Sequence, residues 1–346
     1  MIICKKAYRI SRYALNKLSI LLCVLLLVSC EWVKDDLSGC ETGTWLRFSY
    51  TYNILDVDAA YNQVDNLSIL IFDDQGKLVE VLEVDYLQFQ QDNAMVRIEQ
   101  PEGDYKVLVW GGLSDTNYDL SELIIGETLY EDVILSLYKS DEASENSSLL
   151  DYLFHSNLDN LTVTDYYKIV DVPLVKNTNH FSILIQSDSY EDLEISDLGI
   201  VIRSDNGAMD YGNNIIDNNY VNYTPYEKFT TEVTNTSEEG ETYTSTMFVS
   251  YLNTLRLMTG GSTSLSIIHK ETDERLVNIS LIQYLLLTRS YYGSDAMGEQ
   301  EYLDRQDSYS LIFFLEKSSS SLSGYICTKV SVNGWTIRFN EAELEK

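Results

Sequence analysis

The hydrophobic pattern along this chain is mainly one of period two. In Leu46-Arg47-Phe48-Ser49-Tyr50-Thr51-Tyr52, the residues Leu46, Phe48, Tyr50 and Tyr52 share one face, and Arg47, Ser49 and Thr51 the other. Such alternation, rich in aromatic residues, predicts a half-buried strand. A second strand is expected over Asn66–Phe72. It turns at Asp73-Asp74-Gln75-Gly76 and returns as Lys77–Val84, a hairpin by its turn chemistry. Met95–Glu99 and Tyr105–Trp110 read as another pair, joined through Gln100-Pro101-Glu102-Gly103-Asp104, with Tyr105, Val107 and Val109 turned inward. Residues 113–160 are less regular, with acidic loop text at Ser140–Ser148 and a short helical turn expected near Leu149–Phe154. Strand text resumes at Tyr166–Val175 and Phe181–Gln186, with a domain boundary placed near 172–178.

The second half continues in the same style. Strands are expected at Gly199–Arg203, Thr246–Met258, Ser264–His269, Arg275–Ser280, Ser308–Leu315 and Tyr325–Phe339. Turns fall at Ser204–Gly207, Gly260-Gly261 and Glu271–Glu274, and Leu281–Thr288 is the one apolar stretch that reads as helix. Many short strands punctuated by turns predict an all-β chain built as sandwiches. No long amphipathic helix occurs, which argues against alternating strand–helix architecture.

The exception to this pattern is Leu18–Cys30, LSILLCVLLLVSC, which follows five basic residues and no acidic one. A basic start, a short apolar run and a small-residue cleavage site make a secretory signal. The run falls short of the about 20 apolar residues a spanning helix needs. Its end, Leu27-Val28-Ser29-Cys30, resembles a bacterial lipobox, which implies cleavage before Cys30 and acylation of its thiol. Two or three acyl chains anchor firmly where one does not, at about 0.8 kcal/mol per buried CH₂. Residues 1–29 are therefore expected to be signal peptide and 30–43 a lipidated tether, followed by β-sandwich domains over 44–174 and 175–346. Within the tether, Lys34-Asp35-Asp36 resembles the surface-export signal of lipoproteins in Bacteroides-type bacteria; an acidic linker is the plainer reading.

Charge and chemistry narrow the function. Removal of the signal leaves 317 residues, and because it carries five basic residues and no acids the net charge falls from −30 to −35. Such acidity excludes a nucleic-acid partner, which needs a basic face. It suits a self-repelling protein at a surface. Cys40 and Cys327 remain beside Cys30, two isolated thiols that make no disulfide framework and whose pairing stays open. His155, His180 and His269 are scattered and read as packed or surface residues. Asp205-Asn206-Gly207 with Asp210 lacks the ligand alternation of a calcium loop and reads as a hairpin turn. No nucleophile elbow, metalloprotease helix, P-loop or dinucleotide fingerprint occurs. No catalytic residue, metal ligand or cofactor site is expected.

Several stretches together resemble the FimB-type anchor subunits of Bacteroides-type fimbriae. They are Asp36-Leu37-Ser38-Gly39-Cys40, Leu70–Val79, Pro101–Tyr105 running to Trp110-Gly111-Gly112, Val175–His180, Leu303–Tyr309 and Val332-Asn333-Gly334-Trp335. Their order, with the lipobox, carries the resemblance over nearly the whole mature chain. It implies two tandem transthyretin-like β-sandwich domains and no catalysis. It implies an outer-membrane lipoprotein, acylated on Cys30, that holds a fimbria at the cell surface and helps limit its length. Its partners would be fimbrial shaft subunits, met by strand exchange or edge docking. Related shaft subunits lose their first strand to an arginine-specific protease; here Arg47 lies in that strand, and the alternation of Leu46–Tyr52 reads as a strand retained. The alternative is a surface lipoprotein that binds glycan, drawn from Trp32, Trp45, Trp110, Trp335 and the 26 tyrosines. Exposed aromatics on one platform would favour it; strand packing is the plainer role for them.

Overall fold

The computed structural model describes residues 41–338, apart from 92, 141–142, 188–192, 194–197, 237–239, 241 and 293–296. The lipobox, Cys30, Lys34-Asp35-Asp36 and Cys40 lie outside the described residues. In chain order the first strands are β1 (Thr44–Ser49), β2 (Asn66–Phe72), β3 (Leu78–Asp85), β4 (Met95–Ile98) and β5 (Gly103–Gly111). Next come β6 (Tyr118–Leu120), β7 (Ile134–Leu137), β8 (Glu145–Asn146), β9 (Phe154–Val163), β10 (Lys168–Pro173) and β11 (Val175–Lys176). Then follow β12 (Thr178–Ser187), β13 (Leu198–Ser204), β14 (Ala208–Asp210), β15 (Val221–Tyr223), β16 (Glu227–Thr236) and β17 (Thr242–Leu255). The last are β18 (Ser264–His269), β19 (Glu274–Ser280), β20 (Ser308–Lys317), β21 (Tyr325–Val332) and β22 (Trp335–Arg338). Short helices interrupt them: α1 (Ala60–Gln63), α2 (Tyr86–Gln91), α3 (Leu281–Leu287) and α4 (Glu299–Arg305).

The chain is all-β, as expected, and sandwiched. Sheet order β10-β1-β4 faces order β11-β9-β5-β2-β3 across a core of Leu46, Phe48, Tyr50, Ile69, Ile71 and Val109 with their neighbours. β2 buries both of its faces. Leu70 and Phe72, with Leu108 and Trp110 of β5, join the second core, which explains the unbroken apolar run of β2. That second core lies between order β16-β17-β12-β20-β21-β22 and order β19-β18-β13-β15-β8. Its strands β12, β18 and β20 alternate cleanly between buried and less buried residues. β7 pairs with β14 and β8 with β15, so residues 134–146 are stitched to residues 208–223.

Four expectations are corrected. β1 stops at Ser49, not Tyr52, because Tyr50 N–H donates to Asp58 Oδ1 at 2.9 Å while the Asn53 amide donates to the carbonyls of Tyr50 and Val57. β4 and β5 are no hairpin. β4 pairs with β1 and β5 with β2 and β9, so the Pro101 link carries the chain from one sheet to the other. Leu149–Phe154 forms no helical turn: Leu150 and Leu153 are buried and Phe154 opens β9. Tyr325–Phe339 is not one strand but the β21–β22 hairpin, turned by Asn333 and Gly334 at positive φ (47° and 88°), the signature of a type I′ turn. Phe339 lies outside the described residues.

Gly112 sits where the chain leaves β5, at φ 74°, and a Cβ there would overlap the carbonyl oxygen of Tyr152. Gly126 shares the conformation at φ 83° but has open space around it. Gly112→Ala should cost more than about 4 kcal/mol, and Gly126→Ala about 1 kcal/mol. Denaturation midpoints of the two variants check this, and equal losses would refute the close approach.

Candidate assembly surface and its supporting junction

Two of the stretches singled out in sequence, Val175–His180 and Leu303–Tyr309, meet in space. The Lys176 ammonium donates to Asp307 Oδ2 at 2.6 Å and to Gln63 Oε1 at 3.0 Å, and lies 3.5 Å over the Tyr152 ring. Its side chain is 2% exposed. Burial pulls its pKa down, and the Asp307 carboxylate opposes that shift. The His180 N–H donates to the Asp307 carbonyl at 2.8 Å. Beside this pair, the Arg256 guanidinium grips Asp304 with two bonds of 2.7 and 2.8 Å and donates to the Asn213 carbonyl at 2.6 Å. Asn177 and Asn213 exchange amide hydrogen bonds. Arg305 reaches Asp56 at 2.6 Å, Glu301 at 2.9 Å and the Asn53 carbonyl at 3.2 Å, over the Tyr52 ring.

The histidines are not brought together. His155 is buried on β9, donates from Nε2 to the Tyr211 carbonyl at 3.0 Å and packs edge-on against Trp110. Burial pushes its pKa down to about 4. His180 is pushed down to about 4 as well, by burial first and the Lys176 charge second. His269 pairs its Nδ1 with the Thr272 hydroxyl at 2.9 Å. Asp210 Oδ1 accepts the N–H groups of Gly212 and Asn214 and builds a turn. Cys327 is buried on β21. Among the described residues no cluster of His, Cys, Asp or Glu has the makings of a metal site.

Among the described residues, what remains open is sheet edge rather than sheet groove. β1 lies in the centre of its sheet: Thr44–Ser49 pair in parallel with Lys168–Pro173, and Thr44–Arg47 pair with Ile98–Met95 on the other side. Arg47 is thus inside a strand paired on both edges, its side chain bonded to Asp171 at 2.6 Å. Trp32 lies outside the described residues, and the three described tryptophans do not share a platform. Trp110 is fully buried, Trp45 is half-buried on β1, and Trp335 is 47% exposed on β22. Trp335 has exposed aromatic company, Tyr291 and Tyr292, around a cleft of about 320 Å³. Sequence reading missed β16, the longest of the edge strands. β-Branched enrichment in Thr230, Thr231, Val233, Thr234 and Thr236 was the available signal.

The model of the family described as fimbrillin-A associated anchor proteins Mfa1 and Mfa2 matches residues 37–341. The minor fimbrium anchoring subunit Mfa2 of Porphyromonas gingivalis is 21% identical over 325 residues, covering 92% of each chain. The crystal structure of a candidate adhesin from Bacteroides thetaiotaomicron superposes with a TM-score of 0.74 at 30% identity, over 88% of this chain and 100% of that one. The structure of the fimbrial anchor protein Mfa2 from Porphyromonas gingivalis superposes with a TM-score of 0.64 at 17% identity, over 86% and 99%.

Asp307→Asn should strand the Lys176 charge in a buried site and cost about 3–5 kcal/mol. Lys176→Met combined with Asp307→Leu should lose less than the two single variants added together, because no uncompensated charge remains. Urea denaturation of the four proteins checks this; simple additivity would refute the coupling.

Proposed function

This chain belongs to the family of fimbrillin-A associated anchor proteins, and from that premise we propose that it is a FimB-type lipoprotein that holds a fimbria to the outer membrane and ends its growth at the base. The family is one of fimbrial anchor proteins and not a known enzyme family, which supports a non-catalytic, fimbria-associated role at the cell surface. The proposed arrangement is a signal peptide over 1–29, acylation of Cys30, a tether over 30–43, and sandwich domains over 44–174 and 175–346. Lys34-Asp35-Asp36 would direct the lipoprotein outward. The observation that carries the reading is the position of β1, held on both edges by β10 and β4. A domain whose own first strand fills its sheet has no vacancy for a donor strand, so polymerisation stops there. Contact with fimbrial shaft subunits then runs through an edge.

A glycan-binding adhesin role is the second reading, and the exposed trio of Tyr291, Tyr292 and Trp335 is what favours it. Trp335→Ala should then abolish retention on immobilised glycans while fimbriae stay attached. An unchanged glycan-array profile would remove this reading.

For the anchor role, Cys30→Ser should lose acyl label and release the protein, with its fimbriae, into the medium. Alanine at Lys34, Asp35 and Asp36 should leave the protein acylated but shielded from protease applied to whole cells. Fimbriae that remain attached, at normal length, in cells lacking this chain would refute the proposal.

A further inference from the structure

β16 closes one end of the six-stranded sheet. It pairs with β17 at ten consecutive positions, from Glu227↔Tyr251 to Thr236↔Thr242, with no shift of register. Its other edge has no strand partner among the described residues. Natural sheets blunt such edges with bulges, prolines, short strands or covering loops, and the other edges here are blunted. β3 carries a register shift at Ile71/Phe72, and the Thr128 carbonyl accepts the N–H of its first residue, Leu78. The β18–β19 ladder shifts at Ile267/Ile268. β10 ends in Pro173, and β4 and β22 have four residues each. Among the described edge strands, β16 alone is long, unbulged and free of proline, and the charges of Glu227, Lys228 and Glu232 are what guard it.

The edge adjoins a cleft. A cavity of about 410 Å³ is bounded by β16 and β17 in one sheet and by the start of β13 in the other. Its apolar lining is Leu198, Ile200, Phe229, Phe248 and Val249. Phe229 is 44% exposed, an unusual position for a phenylalanine on a strand with Glu227, Lys228 and Glu232. Backbone groups that accept a strand, next to a pocket that accepts a side chain, are the two parts of strand addition. Alternate residues of an added strand point the same way, so one in two would face the cleft side. The length allows about ten residues, roughly 33 Å of extended chain.

We propose that the β16 edge with its cleft is the docking site for an extended segment of a fimbrial subunit, apolar at alternate positions and basic at some of the others. The inference rests on the anchor reading above. Basic outward residues follow from the acidity of the chain as a whole, which carries a net charge of −30. The segment pairs with β16 through its backbone and seats one large apolar side chain between Phe229, Phe248 and Ile200.

The test uses the full-length chain on fimbriated cells, with a photo-cross-linking amino acid at position 231 on β16 and, in a separate strain, at position 275 on β19. An adduct with a fimbrial subunit from position 231 and none from 275 is expected. Phe229→Asp, still acylated and at the surface, should retain about tenfold fewer fimbriae, the equivalent of about 1.4 kcal/mol. Adducts from 275 alone, or from 231 only with a second copy of this chain, overturn the site. So does full retention by Phe229→Asp. In each of these outcomes fimbriae held by the wild type and shed by the deletion strain keep the anchor reading intact; fimbriae unaffected by deletion defeat that reading instead.

Discussion

A buried ammonium must be answered, and the answer given to Lys176 fixes how this chain is threaded. Lys176 stands on β11, which pairs with β9 in one sheet, two residues before β12 begins in another. At that passage its charge is met by Asp307, just ahead of β20, by Gln63 at the end of α1 and by the Tyr152 ring. β20 in turn runs parallel to β12 from His180↔Ser308 onward. The ion pair therefore sits at the point from which the parallel register of β12 and β20 is counted. Against an apolar substitute such a pair contributes little net stability. Its effect is on geometry: a strand slipped by one residue would turn Lys176 away from Asp307 and every apolar residue of β12 outward.

Arg256 and Arg305 extend the same constraint. Asp304, Arg305 and Asp307 lie on one short stretch at the end of α4 and just beyond it, and each is bonded to a different part of the chain. A short polar stretch between a helix and a strand thus gathers β11, β17 and the loop after β1. Buried polar groups of this kind must all be satisfied or the cost falls on the whole junction.

This junction shows where sequence reading reaches and where it stops. Val175–His180 and Leu303–Tyr309 stood out only as parts of the family resemblance, each generic turn-and-strand text by itself, and their partnership spans 131 residues that no periodicity encodes. Strands with one buried face and one open face, such as β12, β18 and β20, could be read from alternation. β9 could not, because FHSNLDNLTV buries residues only at its two ends and keeps its middle polar. β16 was hidden for a related reason: nearly every described side chain on it is exposed, so neither face carries an apolar stripe. The Leu149–Phe154 text reads as helix only locally. Asn117 and Thr178, bonded to the Leu149 carbonyl and the Leu153 N–H, hold it extended. The hairpin at Asn333-Gly334 was readable from its turn pair, and continuous β-rich text on both sides obscured it.

Hydrogen-bonding capacity is spent unevenly over these sheets, and the unevenness bears on assembly. β1 has strand partners on both sides, so its sheet leaves no gap beside it. The hairpin of β21 and β22 folds the described C-terminal segment back onto β20, so through Arg338 that segment is part of the sheet rather than an arm free to be lent. A protein that neither opens a groove for a strand nor lends one from these segments can still hold a polymer by extending a sheet sideways. That mode needs a straight edge with unspent backbone groups and an apolar recess beside it. Among the described residues, β16 joins an edge without a second strand partner to a cleft lined by Phe229 with Leu198, Ile200, Phe248 and Val249. In the proposed anchor role, chain termination and attachment fall on different surfaces of one molecule: the filled sheet around β1 would refuse another subunit, and the edge at β16 would accept one.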